Sequence, residues 1–193
     1  MKQNKKKQVV FITGNKNKLS EVQYVLPDVI GRQYDIPELQ EVNADKIIAA
    51  KLDHACSLAT GPLIVEDTSL YMQCLSSKGG KDGLPGPLIK WFLQSVESKG
   101  LVKMAKVMGN AKAQVRCIIG YSDDRGQRQY FTGFMNGTIV EPQGKIGFGW
   151  DHIFVPEGSL KTFANMSIEE KNEIGMRGQA VKKLKDFLDG KLV

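Results

Sequence analysis

Cysteine is scarce and unpaired by pattern: Cys56, Cys74 and Cys117 are odd in number, far apart and in no CxxC arrangement. This excludes a disulfide framework and offers no zinc-ligand spacing, so all three are expected to be reduced and structural. No stretch approaches the roughly 18 consecutive apolar residues of a membrane span, and the lysine-rich start is not followed by the apolar block of a secretory signal. A cytoplasmic protein with no membrane partner is expected. The phosphate-loop spacing GxxxxGK[ST] and the GxGxxG of dinucleotide folds are missing too. There is no internal repeat, and low complexity is confined to the N-terminal lysines.

What is present is enough apolar residue, 41% of 193, to build a substantial core in about one domain. The net charge of +6 suggests a polyanionic partner until the lysines are located, because Lys2, Lys5, Lys6 and Lys7 all lie in the first eight residues, and without them the balance is +2. Residues 1–8 are therefore expected to form a disordered, solvated basic tail ahead of one domain over 9–193, with no stable nucleic-acid partner.

In "VVFITGNKNKLSE", Val9 to Ile12 reads as a buried strand and Lys18 to Leu26 as a helix with Leu19, Val22, Val25 and Leu26 on one face. Thr13-Gly14-Asn15 turns between them. Such a turn directs backbone N–H groups and the positive end of a helix dipole outward, and Lys16 and Lys18 add charge, which points to phosphate. Asn43 caps a predicted helix over 44–59 that Gly61-Pro62 stops. Leu63-Ile64-Val65 reads as a short buried strand with Glu66-Asp67-Thr68-Ser69 at its C-terminal exit, where open α/β sheets keep their ligands.

From Cys74 to Pro87, four glycines and two prolines predict a mobile loop, and Pro87 opens a helix bearing Leu88, Trp91, Phe92 and Val96. A second helix is expected over 101–108. Residues 113–140 read as a three-run β meander: 113–122 and 127–134 around the turn "DDRG", then 137–140. Ser167 and Glu170 form a capping box for a helix through Ile174, and Ala180, Val181, Leu184, Phe187 and Leu188 mark a terminal helix, with Gly175 and Gly178 separating the two.

Two constellations suggest chemistry. Glu66 and Asp67, with Glu38 as a third acid, suit Mg²⁺, which takes hard oxygen ligands and only one or two protein carboxylates, while an unliganded carboxylate nearby can accept a proton from an attacking water. In "IGFGWDHIFVP", Phe148 and Trp150 are spaced by Gly149, so a flat ring can approach the backbone and stack, and Asp151 can accept from a base N–H. An anion turn, acids and flat rings together make a nucleotide site.

The motifs "TGNKNKLSE", "VEDTSL", "GLPGPLIKWF", "GFGWDHIFVP" and "SIEEKN" resemble, in order and interval, those of the inosine triphosphate pyrophosphatase family, the HAM1-like nucleoside triphosphate pyrophosphatases. The similarity runs from about Val9 to about Leu188. It implies an elongated, two-lobed α/β fold with a central twisted mixed β-sheet flanked by helices, a nucleotide cleft between the lobes, and a homodimer. It also implies hydrolysis of ITP, dITP and XTP to the monophosphate and pyrophosphate, dependent on Mg²⁺ with Mn²⁺ as a substitute, which keeps these nucleotides out of DNA and RNA. By motif, Thr13, Gly14, Asn15, Lys16 and Lys18 fall on the phosphate turn, with Lys18 among the catalytic positions, and Glu38 and Asp67 fall on the metal positions. Asp67 is also likened to a general base, and the choice between ligand and base stays open. Lys51, Thr68 and Lys90 match further nucleotide contacts; Phe148, Gly149, Trp150 and Asp151 match the base-binding segment, and Lys171 a lysine near the base.

One departure stands out. Where the family reads Ser-His-Arg, this chain has Gly175-Met176-Arg177. The family histidine helps read the 6-keto edge of the purine, and a thioether is a weak acceptor, so selectivity is expected to blur while hydrolysis persists and Arg177 still offers donors. Two other functions fit parts of the pattern: a Maf-type pyrophosphatase with a different base preference, and a nucleotide- or nucleic-acid-binding module without turnover.

Overall fold

The computed structural model describes residues 8–77 and 83–191. The tail lysines Lys2, Lys5, Lys6 and Lys7 and the centre of the glycine-rich loop lie outside these residues. Strand alternation sorts the apolar residues onto two buried faces of one mixed sheet. Three strands lie parallel: β1 (Val10–Ile12) sits between β2 (Ile30–Arg32) and β3 (Leu63–Met72). On the far side of β3 the pairing becomes antiparallel through β5 (Lys112–Ser122), β6 (Arg128–Ile139) and β7 (Phe154–Pro156), while β4 (Pro85–Gly86) pairs with the end of β3.

One face is covered by α2 (Ala44–Leu58), whose Ile48, Leu52 and Ala55 pack on Ile12, Leu63, Val65 and Ile118. Gly120 of β5 allows that approach, because a Cβ there would stand 3.2–3.4 Å from Val65, Ile48 and Leu52 side-chain atoms. Leu52 is fully buried, and truncation to alanine would cost about 2–5 kcal/mol. The opposite face carries the larger core, with Phe11, Ile64, Leu70 and Val115 from strands. It is covered by α1 (Lys16–Val25), α3 (Ile89–Val107), α4 (Ile168–Ile174) and α5 (Met176–Leu188).

The local signals for helix ends hold. Asn15 and Asn43 accept from the N–H groups two and three residues on, and Ser167 with Glu170 makes the complete capping box. Three expectations are corrected. β3 does not end at Val65 but continues through Glu-Asp-Thr-Ser to Met72, because those polar side chains find buried partners on both faces. The expected third β run is the end of β6, so 112–139 is one long hairpin. The two helices expected between 87 and 108 are, by contrast, present as the two arms of α3, separated at Glu97, whose φ of 57° and ψ of 179° break the spiral. Gly175 alone separates α4 from α5, as C-cap of one and N-cap of the other. Gly178 lies inside α5, where a Cβ would stand 1.8 Å from the Asn172 carbonyl oxygen.

Candidate active site

The site follows from a break in pairing. β3 bonds β1 through Leu63 and Ile64 and β4 at Leu70 and Tyr71. Between them, β3 has β5 on one side and, among the described residues, no strand on the other. There the chain leaves β1 through Thr13-Gly14-Asn15, and a cavity of about 1040 Å³ opens, lined by that turn, by Glu66, Asp67 and Thr68, by the 34–40 segment, by the start of α3 and by 148–151. It sits at the C-terminal end of the parallel strands, the usual ligand position in open α/β sheets. Asn15, Asp67 and Trp150 all open on it.

The turn is more self-satisfied than its sequence suggests. Asn15 N–H donates to Thr13 Oγ1 at 3.1 Å, and Asn17 and Lys18 N–H groups donate to Asn15 Oδ1 at 3.0 and 3.1 Å. Its pull on an anion therefore comes chiefly from side-chain charge, and Lys18, Lys51 and Lys90 all line the cavity. Lys16 is exposed on α1 and is not among the lining residues.

Because strand neighbours point to opposite faces, Glu66 and Asp67 live in different environments. Glu66 is turned toward α1 and α5, where Arg177 Nε and Nη2 donate to its oxygens at 3.2 and 3.3 Å, Lys18 Nζ stands at 3.3 Å and the Thr68 hydroxyl donates to it. Burial alone would raise its pKa, but Arg177 and Lys18, with the bonds from Arg177 and Thr68, hold the carboxyl well below the usual range. Asp67 faces α2, its side chain 15% exposed, with Lys51 Nζ at 3.4 Å from Oδ1. Burial pushes its pKa up, Lys51 and Lys18 pull it back, Glu66 opposes them, and the outcome is a raised value. Its Oδ2 is buried with no hydrogen-bond partner.

Glu38 reaches the same cavity from the 34–40 segment and pairs with Lys90 Nζ at 2.8 Å. That bond, opposed by burial and assisted by Lys51, Lys90 and Lys18, holds its pKa below the ordinary value. No group of three His, Cys, Asp or Glu side chains among the described residues is arranged to hold a metal ion. Two carboxylates on one cavity, one with an unpartnered buried oxygen, nevertheless fit Mg²⁺ shared with substrate phosphates.

At the other end, Phe148, Gly149, Trp150, Asp151, Met176 and Arg177 line the cavity. Trp150 is only 6% exposed and packs edge-on against Phe154 at 5.7 Å, so it supports the wall as a core residue. Phe148 is the half-buried ring, with Lys171 Nζ 4.7 Å and Arg177 Cζ 5.6 Å from its centroid. Asp151 Oδ2 accepts from Lys171 Nζ at 2.6 Å and from Phe148 N–H at 3.0 Å, so it organises the segment. Lys171 is buried behind the lining residues.

A residue absent from the sequence-based candidates joins these parts. Glu21 on α1 is buried, accepts from Lys171 Nζ at 2.8 Å and pairs with Arg177. Its only sequence signal is a carboxylate beside Val22, on the face that the helix buries. Arg177 also donates to Thr68 at 3.2 Å, so its guanidinium is largely engaged within the protein and less free to read a base than expected.

Residues 9–187 match the model of the Ham1 family. The chain is 38% identical over 185 residues to an inosine triphosphate pyrophosphatase of Schizosaccharomyces pombe, covering 94% of this chain and 95% of that protein. It is 41% identical over 182 residues to one of Pyricularia oryzae, covering 93% and 92%. Among solved structures it superposes on the Staphylococcus aureus Ham1 protein with a TM-score of 0.77 at 25% identity, over 96% of this chain and 100% of that one. A HAM1 protein from Coxiella burnetii shares the fold, with a TM-score of 0.76 at 24% identity over 94% and 98%.

Proposed function

The chain belongs to the Ham1 family, and from that premise we propose that it is a nucleoside triphosphate pyrophosphatase that hydrolyses ITP, dITP and XTP to the monophosphate and pyrophosphate. The observation that carries this reading is the single cavity on which a lysine-flanked turn, two carboxylates and an aromatic segment all open. Lys18, Lys51 and Lys90 offset polyphosphate charge, more so as negative charge builds on the leaving pyrophosphate. Thr13, Gly14, Asn15 and Thr68 frame the phosphates, and Phe148 offers its ring to the base.

Glu38 and Asp67 would hold Mg²⁺, or Mn²⁺ in its place, and the bound ion would neutralise and orient the phosphates. Asp67 would act as a ligand or accept the proton of the attacking water, and both roles require it ionised. Inosine and xanthine share a 6-keto group and a protonated N1, opposite in hydrogen-bonding sense to adenine, so a site shaped for them leaves polar groups unpaired against ATP. Assembly as a homodimer and a cytoplasmic setting belong to the same proposal; no helix among the described residues is long and apolar enough to cross a membrane. Product analysis tests the reading: ITP with Mg²⁺ is expected to yield IMP and pyrophosphate, and IDP with phosphate would overturn it.

A further inference from the structure

Resting on the reading of the cleft as a polyphosphate site, we propose that Lys90 and Lys51 are resident counter-ions of the two candidate metal ligands. A free divalent cation is thereby refused, and it enters only together with the nucleotide's polyphosphate. Glu38 is bridged at 2.8 Å by Lys90, 52 residues away on α3, and Asp67 Oδ1 is approached at 3.4 Å by Lys51, which also donates to the Glu66 carbonyl oxygen at 3.3 Å.

Glu66 is held separately, by buried Arg177 and by Lys18 at 3.3 Å. Each of the two candidate ligands, Glu38 and Asp67, thus already holds an ammonium partner, and a dication arriving alone would have to displace Lys90 and Lys51 from them. It would also find too few oxygens, since no cluster of three ligating side chains exists among the described residues.

A polyphosphate removes both obstacles. Its oxygens complete the cation's coordination and give each lysine a new anionic partner, so carboxylate–lysine pairs are exchanged for carboxylate–cation and phosphate–lysine pairs, with no charge left unpaired. The exchange begins at Lys90, because its pair with Glu38 is open to solvent, with side chains 57% and 46% exposed, and such pairs are weak. The Lys51–Asp67 pair is 15% exposed on each side and follows, while Asp67 Oδ2 is already free of any partner.

The test titrates Mn²⁺ into the full chain, following the free-ion paramagnetic resonance signal, and separately measures binding of α,β-methylene ITP by fluorescence. Without nucleotide, Lys90→Ala is expected to bind Mn²⁺ at least about tenfold more tightly than the wild type, and adding Glu38→Gln is expected to abolish that gain. Reciprocally, Mn²⁺ is expected to tighten analogue binding to the wild type by about tenfold or more. Equal Mn²⁺ affinity in wild type and Lys90→Ala, weak or strong, overturns the inference and leaves the polyphosphate reading standing. Analogue binding indifferent to Mn²⁺ overturns it together with the metal assignment, and no analogue binding at all removes the nucleotide reading beneath both.

Discussion

At Asp67 the proposed chemistry would draw on a side chain whose ionised form costs stability. Its folded pKa is raised, so between the unfolded value of about 3.9 and the folded one the native state binds more protons, and folding stability falls as pH rises through that window. Above it the ionised carboxylate is a standing cost. Asp67→Asn should therefore lower kcat by about 10²–10⁴ while thermal unfolding shows an equal or higher Tm. In the wild type, activity should fall with acid through a pKa above the ordinary aspartate value, a limb that a pH profile of kcat/KM would display. Met176 is a second single-residue question. It lines the cavity from the first position of α5 with no strong polar group. Met176→His should raise the preference for ITP over ATP, measured as the ratio of kcat/KM values, by about tenfold, the worth of one well-placed hydrogen bond.

Among the elements, α3 carries the clearest strain. Glu97 is the one residue other than glycine with positive φ among the described residues. Its backbone is of a kind that glycine adopts readily and a side chain does not. Glu97→Gly should stabilise the protein by about 1 kcal/mol, seen as a rise in Tm of roughly 2–4 °C. Legibility in the sequence divides at this scale. Caps such as Asn43 and Ser167 were readable because their partners lie within three residues. The length of β3 was not, because Glu66 and Asp67 look like loop residues until Arg177, 111 positions away from Glu66, and Lys51 of α2 are brought beside them. Most positions named from the motifs face the cavity, Lys16 and Lys171 excepted, while the lining residues Tyr34 to Pro37 carry no motif; that Trp150 is packed into the core and Arg177 engaged within it depends on long-range contacts.

Across the whole molecule, Arg177 ties together α1 through Glu21, β3 through Glu66 and Thr68, and α5 on which it stands. Arg177→Met leaves the buried carboxylates Glu21 and Glu66 with only Lys171 and Lys18 beside them and should cost about 3–5 kcal/mol, read from the urea midpoint; adding Glu66→Gln should recover part of the loss. Glu66 has a depressed folded pKa, so its contribution is fully present above the unfolded value of about 4.3 and is lost as pH falls toward the folded one. Acid should therefore loosen the α1–β3–α5 junction, and wild type and Glu66→Gln should differ most in stability near neutrality and converge in strong acid.

The pleat of β3 makes that strand a partition, with the Arg177 junction on one side and the proposed metal ligand on the other, distributed by odd and even position. Substituting either acid disturbs one compartment, but deleting a single residue between Leu63 and Val65 would exchange the tenants of both. The anchoring glutamate would swing toward Lys51, the aspartate toward Arg177, and every residue downstream in the strand would change sides with them. Drift in this lineage can thus revise the letters of the strand far more freely than its count.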